Sequence, residues 1–308
     1  MENEREQAIH FFKKDEIKCV ALMEQLLKSA ENIFVLEKTS SENDEVSSDE
    51  KIFCALFFIK NTSTLFHYIP EQLISVLTGE NGSEEKSAVT KVIEDFVSKI
   101  NLFCIYGISS GTKFIESLVH QKIEKANDYF LMLHDKEKFL EIEKDFSDDK
   151  SSSKDRYLVK NKSKFVRQCT AEDADLLLQL ERGYRQEEVA IHEHDESDAV
   201  VKYILNNSLL NQIVMALTEK NILSEKAISK AATNARGKEY CQIGGVYCHK
   251  DYRGKGNCFI VMFHLIKKIY ESNKKPVLFV KEVNERAKHL YVQLGFYKVG
   301  NFRISYFE

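Results

Sequence analysis

The chain has 308 residues, of which 43% are apolar and 30% are charged, with only 2 prolines and 12 glycines. This composition excludes whole-chain disorder, a collagen-like structure and a coiled-coil rod, and the length allows two domains of ordinary size. The net charge of −4 excludes a global basic field for nucleic acid or an anionic membrane, so any anion site must be local.

Cysteine usage and hydropathy indicate the compartment. The 7 cysteines are scattered and form no C-x-x-C pair, which argues against a disulfide framework and a structural zinc site. The charged first residues are not typical of a signal peptide. The longest apolar run, Ile52 to Ile59, is shorter than the roughly 20 residues of a membrane helix. We therefore expect a reduced, soluble, cytoplasmic protein.

The first half of the chain shows helical and strand-like patterns in series. A solvated loop is expected at 40–50 and a turn at 60–63. Helices are predicted over 5–28, 88–100 and 114–125, and strands over 33–36, 52–59, 65–69, 102–106 and 129–133. This order predicts a partly parallel sheet with helices packed on it.

A charged stretch from Lys136 to Tyr157 predicts a domain junction near residue 155, which gives domains at 1–155 and 156–308. In the second half, Thr170 and Asp173 form a helix-start pattern, a turn is expected at 234–238, and Gly295 follows a helix. Strands are predicted over 165–169, 212–217, part of 222–231, 241–249, 276–280 and 303–307, and helices over 176–180, 257–272 and 286–294.

The most informative loop follows a strand and opens a helix, and it reads Arg253-Gly254-Lys255-Gly256-Asn257-Cys258. Glycines at a helix N-terminus let a phosphate approach exposed backbone amides, and the two basic residues add charge. The loop matches neither a Walker loop nor a dinucleotide-binding loop. It predicts a diphosphate site, with an ordinary strand-to-helix turn as the alternative.

A second motif stands downstream and reads Asn284-x-x-Ala287-x-x-x-Tyr291-x-x-Leu294-Gly295-Phe296. Together the two motifs resemble the GNAT superfamily of acyl-CoA-dependent N-acetyltransferases from Ile243 to Phe296, and more weakly back to Phe165. The resemblance implies a GNAT fold, which is a mixed, mostly antiparallel sheet flanked by helices. It also implies acetyl-CoA as co-substrate, direct transfer to an amine, and no metal.

The resemblance also implies roles for individual residues. Backbone amides on the strand at Val246, Tyr247 and Cys248 would bind the thioester carbonyl and the pantetheine arm. The remaining positions would hold the pyrophosphate (Arg253, Gly254, Lys255, Gly256, Asn257 and Cys258), flank the pantetheine (Asn284 and Ala287), and protonate the departing thiolate (Tyr291). The alternative for Tyr291 is a tyrosine packed on the sheet. Cys258 departs from the family's Gly or Ala, and Lys250 replaces a common Pro.

The residue that accepts the amine's proton is predicted near the acceptor site, at Glu187 or Glu188, which follow the first helix of the second half. The alternative is a pair of solvated carboxylates. The run from His192 to Glu196 is interpreted as a solvated loop rather than a metal site, because its two histidines lack metal-ligand spacing.

The first half echoes the element order of the second half but lacks both motifs. We interpret it as a degenerate, non-catalytic GNAT-like copy that shapes the acceptor groove or a homodimer contact. Ser109-Ser110-Gly111 lies where a phosphate loop would be, and His67 is interpreted as structural.

The functional hypothesis is an acetyltransferase acting on a primary amine of a small molecule or peptide, with no nucleic-acid or membrane partner. The alternative is a CoA-binding sensor without catalysis. A P-loop-like nucleotide binder is poorly supported, because no lysine-serine pair and no magnesium carboxylate are in place.

Overall fold

The computed structural model describes residues 2–28, 33–37, 52–59, 62–79, 84–147, 164–189 and 196–308. The chain divides into two compact units that alternate along the sequence. The first comprises Met1–Leu131, Lys281–Val283 and Val299–Glu308, and the second comprises Met132–Val280 and Asn284–Lys298. The junction predicted near residue 155 lies outside the described residues, as does the loop predicted at 40–50.

The order of elements agrees with a mixed α/β chain. The helices are α1 Glu2–Lys13, α2 Val20–Lys28, α3 Glu71–Thr78, α4 Glu84–Val97, α5 Ser109–Glu116, α6 Lys136–Ser147, α7 Ala174–Tyr184, α8 Asp198–Asn211, α9 Asn257–Glu271 and α10 Glu285–Gln293. The strands are β1 Ile33–Glu37, β2 Ile52–Ile59, β3 Thr64–Tyr68, β4 Cys104–Ile108, β5 Ile123–His134, β6 Lys164–Gln168, β7 Val214–Lys220, β8 Glu225–Arg236, β9 Tyr240–Cys248, β10 Lys275–Lys281 and β11 Phe296–Phe307.

In the first unit, β1 and β2 pair antiparallel, as do β2 and β3. Strand β3 pairs parallel with β4, and β4 pairs antiparallel with residues 302–306 of β11. Apolar side chains of α3, α4 and α5 bury Leu65 and Ile105 on this sheet, and both are fully excluded from solvent. A second cluster joins α1 and α2 to Tyr68. His67 is buried and its Nε2 lies 2.8 Å from the Thr112 hydroxyl, which agrees with its predicted structural role.

In the second unit, β6, β7, β8 and β9 form an antiparallel series, and β10 joins β9 in parallel. Helix α7 places Leu177 and Leu180 in a core shared with Leu205 of α8. Helix α9 is the most apolar of the unit's helices and buries Met262 and Ile266 completely. Within each unit the strand pairings are therefore mostly antiparallel and helices flank them, as the predicted fold class requires.

Several predicted elements are wrong in detail because tertiary contacts override local spacing. The helix predicted over 5–28 breaks between α1 and α2, where the Asp15 carboxylate accepts a hydrogen bond from the Tyr68 hydroxyl at 3.1 Å. The helix predicted over 114–125 ends at Glu116, and the amide of Gln121 then bonds the backbone of Leu102 instead.

Two further differences concern helices that the sequence patterns missed. The charged stretch assigned to the junction forms α6, which is anchored by buried Phe139 stacking on Phe263 with ring centroids 5.2 Å apart. Helix α8 was not predicted at all, although Ser197 caps its start and accepts a hydrogen bond from Val200 N. The predicted turn at 234–238 begins later, because β8 continues to Arg236.

Across the described residues, every helix falls short of the length and hydropathy that a bilayer crossing requires.

Candidate active site

The pairing of β9 and β10 stops before either strand ends. Their parallel register runs from Lys275 opposite Tyr240 to Leu278 opposite Ile243 and does not extend beyond that pair. Residues 244–248 of β9 continue along β8 instead, with Cys248 opposite Ser229. The two strands therefore stop pairing at this end, and we call the unpaired side of β9 beyond Ile243 the slot.

Strand β9 carries a bulge at the mouth of this slot. Gly244 lies opposite Ala232 and Tyr247 opposite Lys230, so Gly245 and Val246 together face Ala231. Gly245 has φ +59°, a left-handed conformation that favours glycine. A bulge leaves backbone groups outside the regular ladder, which makes them available to a ligand.

The glycine loop lies between the end of β9 and the start of α9. Gly254 and Gly256 both have positive φ, at +74° and +72°. A side-chain carbon added at Gly254 would meet nothing within 4 Å, so the loop surface is open there. Asn257 is buried and its side-chain amide donates to Tyr252 O at 2.7 Å, which ties the helix start to the preceding turn. These residues fit a diphosphate, because the loop surface at Gly254 is open and the loop leads directly into the N-terminus of α9.

The two basic side chains of the loop are held by protein groups. Nε of Arg253 donates to Cys248 O at 3.0 Å, and its Nη2 lies 2.9 Å from each carboxylate oxygen of Glu187. Lys255 Nζ donates to Asp251 O at 3.2 Å. Both side chains stay at the loop, and Arg253 is exposed enough to exchange its partner for a phosphate.

Glu187 lies in a π-helical turn, Arg185–Val189, that follows α7. The Tyr247 hydroxyl donates to Glu187 Oε1 at 2.7 Å, and Lys250 Nζ lies 3.7 Å from the same oxygen. Burial pushes the pKa of Glu187 upward, but the hydrogen bonds from Tyr247 and Arg253 outweigh it and leave the pKa below its usual value. Burial and the bond to Glu187 raise the pKa of Tyr247 to about 12.

The neighbouring Glu188 belongs to a different group of side chains. Its Oε1 accepts a hydrogen bond from the Asn284 amide at 3.3 Å. Asn284 also caps α10, because its Oδ1 accepts from Ala287 N at 3.0 Å. The N-x-x-A spacing of the motif is thus the spacing between an N-cap residue and the third residue of its helix.

Tyr291 is buried on α10, with 8% of its surface exposed. Burial raises its pKa well above the usual tyrosine value, and the negative charge of Glu188 acts in the same direction. The phenol is therefore protonated throughout the physiological range. A buried, protonated phenol is compatible with both alternatives for Tyr291, namely a tyrosine packed on the sheet and a hydrogen-bond donor to a ligand.

Cys248, at the end of β9, and Cys258, at the start of α9, interact with each other through their side chains. A hydrogen bond between the two thiols, opposed by burial, lowers the pKa of Cys248, whereas the same bond and burial raise the pKa of Cys258. The raised pKa keeps Cys258 a neutral thiol at the second position of α9.

Sequence reasoning missed a buried ion pair next to the bulge. Lys230 Nζ lies 2.8 Å from Glu181 Oε2, with only 3% and 9% of the two side chains exposed. The ammonium also lies 4.8 Å from the centre of the Tyr184 ring. The available signal was a lysine in a strand segment, residues 227–232, whose other side chains are small or apolar, which indicates a buried cation.

The run from His192 to Asp195 lies outside the described residues, so its interpretation as a solvated loop stays a prediction. Within the described ranges, no group of three or more His, Cys, Asp or Glu side chains is arranged to hold a metal ion.

Residues 222–304 match the family model described as FR47-like protein. A Drosophila protein of solved structure shares 11% identity over 82% of this chain and 73% of its own, with a TM-score of 0.52. A functionally unknown protein from Staphylococcus epidermidis shares 8% identity over 89% and 95%, also with a TM-score of 0.52. A GNAT-family acetyltransferase from Colwellia psychrerythraea shares 9% identity over 84% and 83%, with a TM-score of 0.49.

The chain shares its fold with the Drosophila and Staphylococcus epidermidis proteins. The family-model match covers the strand, the loop and the helix that carry the two sequence motifs. No curated protein matches the chain. The tandem-copy interpretation of the first half remains a prediction.

Proposed function

We propose that this protein transfers an acetyl group from acetyl-CoA to a primary amine of a small molecule or peptide in the cytoplasm. The observation that carries the proposal is that β9 stops pairing with β10 directly before an open, doubly left-handed glycine loop. A slot ending at an anion site suits a ligand with a diphosphate at one end and an extended arm.

In this proposal, the loop amides from Gly254 to Cys258 bind the diphosphate, and Arg253 and Lys255 add charge. Arg253 would exchange the Glu187 carboxylate for phosphate oxygens. The backbone along Val246, Tyr247 and Cys248 binds the arm, and the Val246 amide faces the thioester oxygen. Attack by the amine develops negative charge on that oxygen, which a fixed N–H stabilises.

Tyr291 would act on the departing sulfur. Its raised pKa keeps the phenol protonated, so it arrives as a hydrogen-bond donor. A thiol has an ordinary pKa of about 8.5, below that of this phenol, so hydrogen-bond donation is favoured over complete proton transfer. This refines the role that the family resemblance implies for Tyr291.

The geometry favours Glu188 over Glu187 as the group that receives the amine's proton. Glu187 is engaged by Arg253 and Tyr247 and has a lowered pKa, which makes it a weaker base. Glu188 lies with Asn284 and acts electrostatically on Tyr291. The amine must be neutral to attack, so we assign the acceptance of its proton to Glu188, whose charge acts on Tyr291.

The proposal is tested by calorimetric titration of the full chain with CoA and acetyl-CoA, followed by a thiol-release assay with a panel of amino acids, polyamines, peptides and amine antibiotics. We expect binding of both ligands and thiol release that depends on one class of amine. Glu188→Gln should reduce turnover at least about tenfold, whereas the matched Glu187→Gln should retain most of it. Binding without turnover for every amine would favour the sensor alternative, and no binding would refute both.

A further inference from the structure

The buried Lys230–Glu181 ion pair needs an explanation other than stability. Such a pair contributes little net stability, because removing two charges from water costs about as much as their attraction returns. Replacing such a pair with apolar side chains of similar size is often neutral or stabilising. The two residues come from different elements, β8 and α7, and both are almost fully buried. Their position beside the bulge suggests a task other than holding the core together.

The ammonium of Lys230 makes one further contact, and it is with the bulge itself. Nζ donates a hydrogen bond to the carbonyl oxygen of Gly245 at 2.9 Å. This carbonyl belongs to the same peptide unit as the N–H of Val246. In a planar trans peptide the C=O and the N–H point in opposite directions, so fixing one fixes the other.

The bulge is the place where such control is needed. Gly245 has φ +59° and no side chain, so the Gly245–Val246 peptide can rotate at low cost. Without a partner for the carbonyl, the amide of Val246 would sample several orientations. Stabilisation of developing charge depends on a donor that is already oriented before the reaction.

We propose that Lys230 is a positioning residue that fixes the Gly245–Val246 peptide, so that the Val246 N–H faces the thioester oxygen, and that Glu181 holds Lys230 in place. The inference rests on the proposed acetyl transfer and extends it to a buried pair that does not touch the substrate. Lys230 acts only through the peptide, with the N–H directed away from the side on which Lys230, Glu181 and Tyr184 lie.

The test compares Lys230→Met with the double variant Lys230→Met/Glu181→Met in the full chain. The single variant leaves Glu181 buried without its cation, so a lowered unfolding temperature is expected. The double variant removes both charges and should recover the unfolding temperature. Lys220→Met, at the exposed end of the neighbouring strand β7, is the matched control and should behave as wild type.

A positioning role predicts that the double variant recovers stability but not turnover. We expect its kcat to stay at least about tenfold below wild type, since removing a single oriented donor is known to cost this much or more. Affinity for CoA should change much less than kcat, because CoA carries the arm but no thioester oxygen. Recovery of both stability and kcat would overturn the proposal and leave a purely structural pair.

A crystal structure of the double variant separates this inference from the proposed function. A rotated or disordered Gly245–Val246 peptide supports positioning by Lys230, even if the wild-type protein proves inactive towards all amines. An unchanged peptide overturns it, even if the wild-type protein is an active acetyltransferase.

Discussion

The Arg253 guanidinium donates to both carboxylate oxygens of Glu187, with Nη2–O distances of 2.9 Å. The cation of the predicted diphosphate loop is thus already paired with an anion from the turn after α7. A phosphate that enters the loop must compete with this carboxylate, so the proposed function predicts that the pair lowers the affinity for CoA.

Glu187→Gln should therefore tighten CoA binding. The pair is partly exposed, and such pairs contribute about 0.2–1 kcal/mol, so the dissociation constant should fall by a factor between about 1.4 and 5. Arg253→Gln should raise the dissociation constant of CoA. Titration calorimetry measures both, with Glu285→Gln at the exposed start of α10 as the control for net charge. Weaker binding by Glu187→Gln would mean that the carboxylate orders the loop for phosphate rather than competing with it.

Tyr291→Phe should lower kcat about tenfold or more and leave CoA affinity within twofold, because only the hydroxyl is lost and the buried ring remains. Steady-state kinetics and calorimetry give the two values. Tyr297→Phe, on the half-exposed start of β11, serves as the control. Unchanged turnover in Tyr291→Phe would remove the phenol from the mechanism and leave it as a packing residue.

Gly254→Ala tests whether the loop needs a left-handed backbone conformation, and it does not introduce a steric clash. The added carbon would contact nothing within 4 Å, but φ is +74°. A left-handed alanine costs about 1–2 kcal/mol, so the free loop should relax and CoA affinity should fall about fivefold or more. Gly300→Ala is the control, because its added carbon makes ordinary contacts at 3.6 Å with Leu131. Equal affinity in Gly254→Ala and wild type would contradict a preformed loop.

His134 makes stability depend on pH. Its Nε2 lies 2.8 Å from Leu294 O and its Nδ1 lies 2.9 Å from the Tyr270 hydroxyl. Burial lowers the pKa of His134 from 6.5 to about 4, against smaller opposing effects of the Leu294 carbonyl and Asp135. Between these values the unfolded chain binds a proton that the folded chain does not, so this contribution to stability is lost as the pH falls from 6.5 towards 4.

The free energy of unfolding should therefore include a loss of about 2 kcal/mol from His134 between pH 7 and pH 5. His134→Gln keeps a donor for Leu294 O but cannot titrate, so its decrease over this range should be smaller by that amount. Urea unfolding at the two pH values measures the difference, with exposed His289→Gln as the control. Parallel pH curves for wild type and His134→Gln would show that His134 is not kept neutral by the fold.

The features that the sequence determined by itself are local ones. Gly254 and Gly256 precede a predicted helix, and both adopt the left-handed backbone conformation that glycine allows. Thr170 and Asp173 form the predicted capping box, and Gly295 follows α10 with φ +96°. Each of these depends on backbone conformation within a few residues, which residue type and spacing fix directly.

Tertiary structure decided which distant side chains meet. Lys230 and Glu181 lie on different elements, and nothing in their local sequence indicates that they pair. Glu187 and Glu188 are adjacent in sequence, yet the fold pairs one with Arg253 and the other with Asn284. The break between α1 and α2 and the helix α6 likewise depend on Tyr68 and Phe263, which are remote in the chain. Burial and long-range pairing are set by the packing of whole elements, so periodicity and motif spacing cannot encode them.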